Sequence, residues 1–207
     1  MGQQPDTHNV LVVGCGALAR ELLDVIAING LRNVKVDCLP AALHNRPEMI
    51  PDAVRARLEL ATEYDRVFVA YGDCGTGGRL DTVLDEFGVE RLPGAHCYQF
   101  FAGVDEFTAI QDAEIGTLYL TDFLARHFDR LIWRGLGLDR WPELADDYFA
   151  NYTRVLHLAQ TDDPATESDA REAASRLGLR FERRYVGYGE MEPAVVEISR
   201  ARKAIPA

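Results

Sequence analysis

Four cysteines are the residues most able to do chemistry here, and their placement is regular. Cys15 lies in a Gly14-Cys15-Gly16 turn directly after the apolar run Asn9 to Val13, and Cys74 lies in a second glycine-rich turn, Gly72-Asp73-Cys74-Gly75-Thr76-Gly77-Gly78, after Val67 to Tyr71. Each turn leads through a helical pattern to another extended segment ending in a cysteine, Cys38 in one case and Cys97 in the other. Both pairs are 23 residues apart. The two stretches read as an internal duplication of strand, Cys turn, helix, strand, Cys. Thiolates are soft ligands that suit zinc and iron–sulfur clusters. The competing structural reading is four buried small hydrophobes, a common use of cysteine.

The ligand spacing separates the metal chemistries. A structural zinc site normally shows paired ligands such as C-x₂₋₄-C, and no such pair is present. One cysteine per strand-end turn is similar, at the level of architecture, to enzymes whose Rossmann-like repeats each give one cysteine to a four-iron cluster. This ranks an iron–sulfur centre slightly above zinc. The expected ligands are Cys15, Cys38, Cys74 and Cys97, with His44, close to Cys38 in sequence, as a further donor. Gly72 and Gly75 let the backbone approach a bound group closely. Tyr71, Asp73, Thr76 and Tyr119, at strand ends, are the expected neighbours of the ligands.

A dinucleotide site competes for the first turn. Gly14-Cys15-Gly16-Ala17-Leu18-Ala19 matches G-x-G-x-x-A after a strand, and Asp37 closes the next strand 21 residues beyond Gly16. That spacing suits a carboxylate holding the adenosine ribose. Gly14, Gly16 and Asp37 are therefore the alternative cofactor-binding set, but the second turn is left without a role. A third reading makes Cys74 a nucleophile, which needs a base and an oxyanion hole. Asp73 and His96 are the nearest candidates for its base.

The elements that would position these residues alternate. Strands are expected near 9–14, 33–38, 66–71, 89–94, 117–121, 154–159 and 180–188. Helices are expected near 17–29, 48–62, 78–87, 121–133, 141–150 and 167–177. Such alternation predicts an α/β fold, a single Rossmann-like layered domain over residues 8–199 with a mostly parallel sheet. Pro51 or Asp52 should open one helix and Thr121 should cap another. Residues 1–7, the acidic stretch Thr161 to Ser168 and the tail 200–207 are expected to be flexible. Phe123, Phe128, Leu131 and Trp133 read as the core side of a helix, and His157 as a satisfied core histidine.

Composition narrows the function classes. The chain has 207 residues, 47% hydrophobic and 27% charged, with a net charge of −11. An acidic balance of this size argues against general nucleic-acid binding and against an anionic membrane surface. No apolar run approaches the roughly 18–20 residues that span a bilayer. The first ten residues lack the basic and apolar parts of a secretory signal, so a cytoplasmic location is expected. Four cysteines in that compartment are not a disulfide framework.

The ordered motifs GCG, LPAALHNRP, VAYGDCG, LPGAHCYQFFAG and GTLYLTD resemble the bacterial and archaeal proteins grouped as domain of unknown function 1638, over roughly residues 9–190. The resemblance implies a shared first-turn cysteine (Cys15), an LH-x-x-P element (Leu43, His44, Pro47), a YG-x-CG turn (Tyr71, Gly72, Cys74, Gly75) and the later Cys97. The approach to Cys97, Leu92-Pro93-Gly94-Ala95-His96, departs from the more acidic one the resemblance predicts. It also implies a link with one-carbon or corrinoid methyl-transfer metabolism. The expected partner is a small-molecule substrate or a metalloenzyme, with homo-oligomers left open and enzymatic activity undecided.

Overall fold

A computed structural model describes residues 8–200 of the chain. The described residues divide into two compact units, the first formed by residues up to Phe100 and from Tyr188 onward, the second by Phe101–Gly187. The strands, expected in one sheet, form two sheets of four and three strands. Both are parallel at every pairing.

The first unit begins with β1 (Val10–Cys15), a 3-10 turn Gly16–Leu18 and α1 (Ala19–Ile28). It continues through β2 (Val34–Leu39), 3-10 turns at Ala41–Asn45 and Pro47–Met49, α2 (Ile50–Leu60) and β3 (Arg66–Ala70). Next come α3 (Arg79–Phe87), the two-residue β4 (Glu90–Arg91) and α4 (Cys97–Ala102). Every residue of β1 is buried, as expected for a central strand covered on both faces. Leu18, Leu22 and Val25, spaced i, i+4 and i+7, are also buried and put one face of α1 on the sheet. Pro51 and Asp52 stand in the first turn of α2, as the sequence predicts.

The second unit holds α5 (Val104–Ala113), β5 (Thr117–Thr121) and α6 (Asp122–Arg126), followed by a π-helical turn at Asp129–Trp133. It then runs through α7 (Leu144–Phe149), β6 (Arg154–Ala159), α8 (Pro164–Arg176) and β7 (Arg180–Tyr185). Thr121 caps α6 by accepting from the Leu124 amide at 3.3 Å. The helix expected over 121–133 is broken, and of its four apolar residues only Phe128 is fully buried. The stretch Thr161 to Ser168 is not a flexible loop. Asp163 accepts from the Ala165 amide at 3.1 Å and Pro164 occupies the first turn, so the acidic run opens α8.

The chain returns to the first unit as α9 (Met191–Arg200), where Met191, Val195 and Ile198 are buried against it. Helices α4, α5 and α9 are additional to those the sequence pattern predicts. Of the termini expected to be flexible, all but Arg200 lie outside the described residues.

In the four-stranded sheet the order is β2-β1-β3-β4. The chain moves from β1 to β2 on one side, then returns to place β3 on the other side of β1. The carboxyl ends of β1 and β3 therefore flank a topological switch point, where open α/β sheets hold their ligands.

Candidate metal centre

Two glycine-rich turns meet at that switch point, each built differently. Cys15 is the last residue of β1, and its sulfur accepts from the Ala17 amide at 3.4 Å, capping the 3-10 turn. Beyond β3, Tyr71 is 2% exposed. Cys74 follows with φ of +50°, and no other non-glycine residue among those described has positive φ. A β-carbon in this left-handed region costs on the order of 1–2 kcal/mol, and strain of that kind collects at functional sites.

The glycines around Cys74 serve the turn itself. Asp73 turns its carboxylate back over the loop and accepts from the Thr76 hydroxyl (2.7 Å), the Gly78 amide (2.8 Å) and the Gly77 amide (3.1 Å). Burial works to raise this carboxyl, but the three donors outweigh it and hold it below the usual range. Gly77 and Gly78 have φ of +63° and +81°, which lets their amides point at one oxygen-rich centre. Asp73 thus fills the anion-binding nest at the start of α3, and it is not placed to act as a base for Cys74.

The Cys97 segment is tied to the same turn. The Asp73 amide donates to the Gly94 carbonyl at 3.0 Å and the Cys74 amide to the Ala95 carbonyl at 2.7 Å. Gly72 permits this approach, since a β-carbon there would stand 3.1 Å from the Gly94 oxygen. Arg91 reinforces it by gripping Asp81 of α3 with two nitrogens, at 2.6 and 2.9 Å, and donating to the Leu92 carbonyl at 2.8 Å. Cys97 was expected at a strand end. It instead starts α4, because β4 stops at Arg91 ahead of Pro93, which has no N–H to donate.

These connections bring Cys15, Cys74, Cys97 and His44 to the lining of one cavity, together with Tyr71, Gly72 and the apolar Leu18 and Phe100. The cavity measures about 20 Å³, room for one water-sized body. His44 comes from the 3-10 turn after β2. Burial, and then the nearby His96, lower its pKa and favour the neutral imidazole. Cys38 does not line the cavity; it pairs with Gly14 in the sheet, and its sulfur lies 3.7 Å from where a Gly14 β-carbon would be. All four cysteines are free thiols. Burial, and then the Cys15 thiol, push Cys74 up to about 11. Among the described residues, no three His, Cys, Asp or Glu side chains form a group that would hold a metal ion as they stand.

The dinucleotide set has other work. A β-carbon on Gly14 would meet Leu22 of α1 at 2.7 Å, and one on Gly16 would meet the Leu39 oxygen at 2.8 Å and the Ala41 nitrogen at 2.9 Å. Gly16 thus lets the segment that follows β2 pack directly against the first turn. Asp37 stands 3.4 Å from Arg57. Gly75, with φ of +83°, rests on Pro47 at 3.5 Å. Replacing Gly16 by alanine is expected to lower stability by about 1–3 kcal/mol and to displace the segment carrying His44. A urea titration of Gly16→Ala reads this directly, and an unchanged midpoint would refute the packing account.

Of the other expected neighbours, Thr76 is buried within the Asp73 nest. Tyr119 belongs to the second unit, where its hydroxyl donates to Gln111 at 2.9 Å. The apolar walls, Leu18 and Phe100, and the self-filled nest were not predicted. The signal for the nest was present in the Asp73, Thr76, Gly77, Gly78 spacing.

The family model described as protein of unknown function (DUF1638) matches residues 38–195. The chain belongs to this family. The matched segment includes His44, Cys74 and Cys97 and begins at Cys38, so the Cys15 turn precedes it. No curated protein matches the chain. In this family member no described helix is long and apolar enough to cross a membrane.

Proposed function

We propose that this protein binds a metal ion at the switch point of its first sheet, with Cys15, Cys74 and Cys97 as thiolate ligands and His44 as the fourth donor. The observation that carries the reading is the cavity itself, where three thiols and an imidazole from four separate chain segments share one small space. Such a donor set is Cys₃His, which suits tetrahedral zinc. The size of the cavity supports a single ion over an iron–sulfur cluster, reversing the order that ligand spacing alone suggested. Cys38 stays outside the ligand set. Loading requires the donors to close around the ion, and the ion's charge offsets the mutual repulsion of three thiolates.

Elemental analysis and a visible spectrum, on protein purified without oxygen, test this for the wild type and Cys74→Ser. About one zinc per chain is expected, with most of it lost in the variant while its circular dichroism is unchanged. Iron with a broad brown absorbance would restore the cluster reading. Wild-type protein free of any metal, and taking up none when zinc is added, would sink the proposal.

A further inference from the structure

Helix α9 is tied to the rest of the first unit by two asparagine side chains. Asn29, directly after α1, donates from Nδ2 to the Val25 carbonyl and to Glu192 Oε1 of α9, each at 3.0 Å. Asn33, just ahead of β2, donates from Nδ2 to the Ser199 carbonyl of α9 at 2.9 Å and to the His8 carbonyl at 3.0 Å. Both ties need a neutral amide that donates. The residues that follow them differ, and Asn29-Gly30 is the only Asn-Gly pair in the chain. Gly30 is exposed, with φ of +63°, and a β-carbon there would meet nothing within 4 Å, so its nitrogen is unscreened by any side chain of its own. Asn33 is followed instead by Val34, buried in β2, whose branched side chain crowds its own nitrogen.

We propose that Asn29 is a site of spontaneous deamidation and that the change acts as an irreversible release for α9. The Gly30 nitrogen attacks the Asn29 side-chain carbonyl carbon, the bond from that carbon to Nδ2 breaks, and ammonia leaves with the Gly30 proton. Water then opens the five-membered imide at either carbonyl, giving aspartate or isoaspartate. No reagent beyond water is consumed. The attack requires the last turn of α1 to open, because the Gly30 amide donates to the Ala27 carbonyl at 3.2 Å. In the product a carboxylate replaces the donor, so the contact with Glu192 turns from a hydrogen bond into repulsion between like charges. The new charge also meets the negative end of the α1 dipole. Met191, Val195 and Ile198 of α9 are buried, so loosening the helix exposes apolar surface. None of this depends on the metal-binding reading.

The test keeps the full chain, as wild type and as Asn29→Gln, warm at mildly alkaline pH and follows tryptic peptide masses over time. Glutamine keeps an amide donor but cannot close a five-membered ring, and cleavage after Arg32 separates the two asparagines. The peptide ending at Arg32 is expected to gain the mass of an amide-to-acid change in the wild type alone, while the peptide holding Asn33 stays unchanged. The acid form of the wild type, separated by charge, and fresh Asn29→Asp are each expected to show a folding constant about tenfold below that of fresh wild type in urea. Adding Glu192→Gln to Asn29→Asp is expected to recover most of that loss. No mass gain at Asn29, or an equal gain at Asn33, would overturn the assignment of the site. A gain at Asn29 with an unchanged urea midpoint would overturn the release of α9, and so would a loss that Glu192→Gln leaves in full.

Discussion

Metal affinity at the proposed Cys₃His centre is expected to rise about a thousandfold for each unit of pH between roughly pH 6 and 8. The sign follows from the protonation state of the donors. Burial, together with Cys15, holds Cys74 up at about 11. Burial raises Cys15, although the Ala17 amide pulls the other way. Burial, then Cys74 and Cys15, push Cys97 well above the ordinary thiol range. All three enter the neutral range as thiols, and each must shed a proton to bind. Burial, and then His96, lower the His44 pKa, which favours its neutral form, so the thiols carry the proton release. The apparent constant therefore scales with the inverse cube of the proton concentration, and the metal-bound form weakens as pH falls. Competition with a chromophoric chelator, corrected for the chelator's own titration, measures the slope. A slope of about three is expected. A slope near two would remove one thiol from the ligand set, and one near zero would remove them all.

The second large effect is expected at Asp122, in the second unit. Asp122 and His157 are each 1% exposed, and His157 Nε2 lies 2.8 Å from the carboxylate. The same carboxylate accepts from the Gln160 amide (3.2 Å), the Thr161 amide (3.0 Å) and the Thr161 hydroxyl (2.6 Å). The group joins the start of α6 to the loop that follows β6. Burial acts to raise the Asp122 carboxyl, but His157 and then Thr161 outweigh it and hold it below the usual range. Its contribution is therefore complete above the unfolded carboxyl pKa, and it is lost as pH falls through the lower folded value. Asp122→Ala orphans these donors and is expected to cost about 3–5 kcal/mol, whereas Asp122→Asn, which keeps an acceptor oxygen, is expected to cost less. Urea unfolding at neutral pH checks both. A loss under about 1 kcal/mol for the alanine variant would mean that water replaces the carboxylate, contrary to its burial.

Much of this could be read from the chain. Continuous apolar runs marked β1, β5 and β6 to within a residue, and His157, expected to be a satisfied core histidine, is buried and bonds Asp122 through Nε2, while its buried Nδ1 has no partner among the described residues. Errors arose where local chemistry ended a pattern early. Pro93 and Gly94 cut the strand expected over 89–94 to two residues, which moved Cys97 onto a helix. The charged run before α8 read as a loop because its charges hid the Asp163 cap. Helix α9 shows Met191, Val195 and Ile198 at i, i+4 and i+7, a pattern that was legible but short. The grouping of Cys15, Cys74 and Cys97 lies deeper. It depends on β3 pairing beside β1, and strand order is set by tertiary packing between residues more than 50 apart. The exclusion of Cys38 follows from the same pairing, because β2 lies on the far side of β1.

The order in which the first unit is written along the chain has a consequence for biosynthesis. Helix α9 packs on α1, β1 and β3, the elements bearing the Cys15 and Cys74 turns, and the Glu190 amide bonds to the Phe100 carbonyl at 2.8 Å. Yet residues 101–187 must be translated before α9 exists. At about 5–20 residues per second, the strands that carry these turns wait roughly 4–17 s before α9 can cover them. During that interval the sheet bearing both turns lacks the packing of Met191, Val195 and Ile198. Folding of the first unit is thereby completed only when the last described helix emerges, after the whole of the second unit has been made.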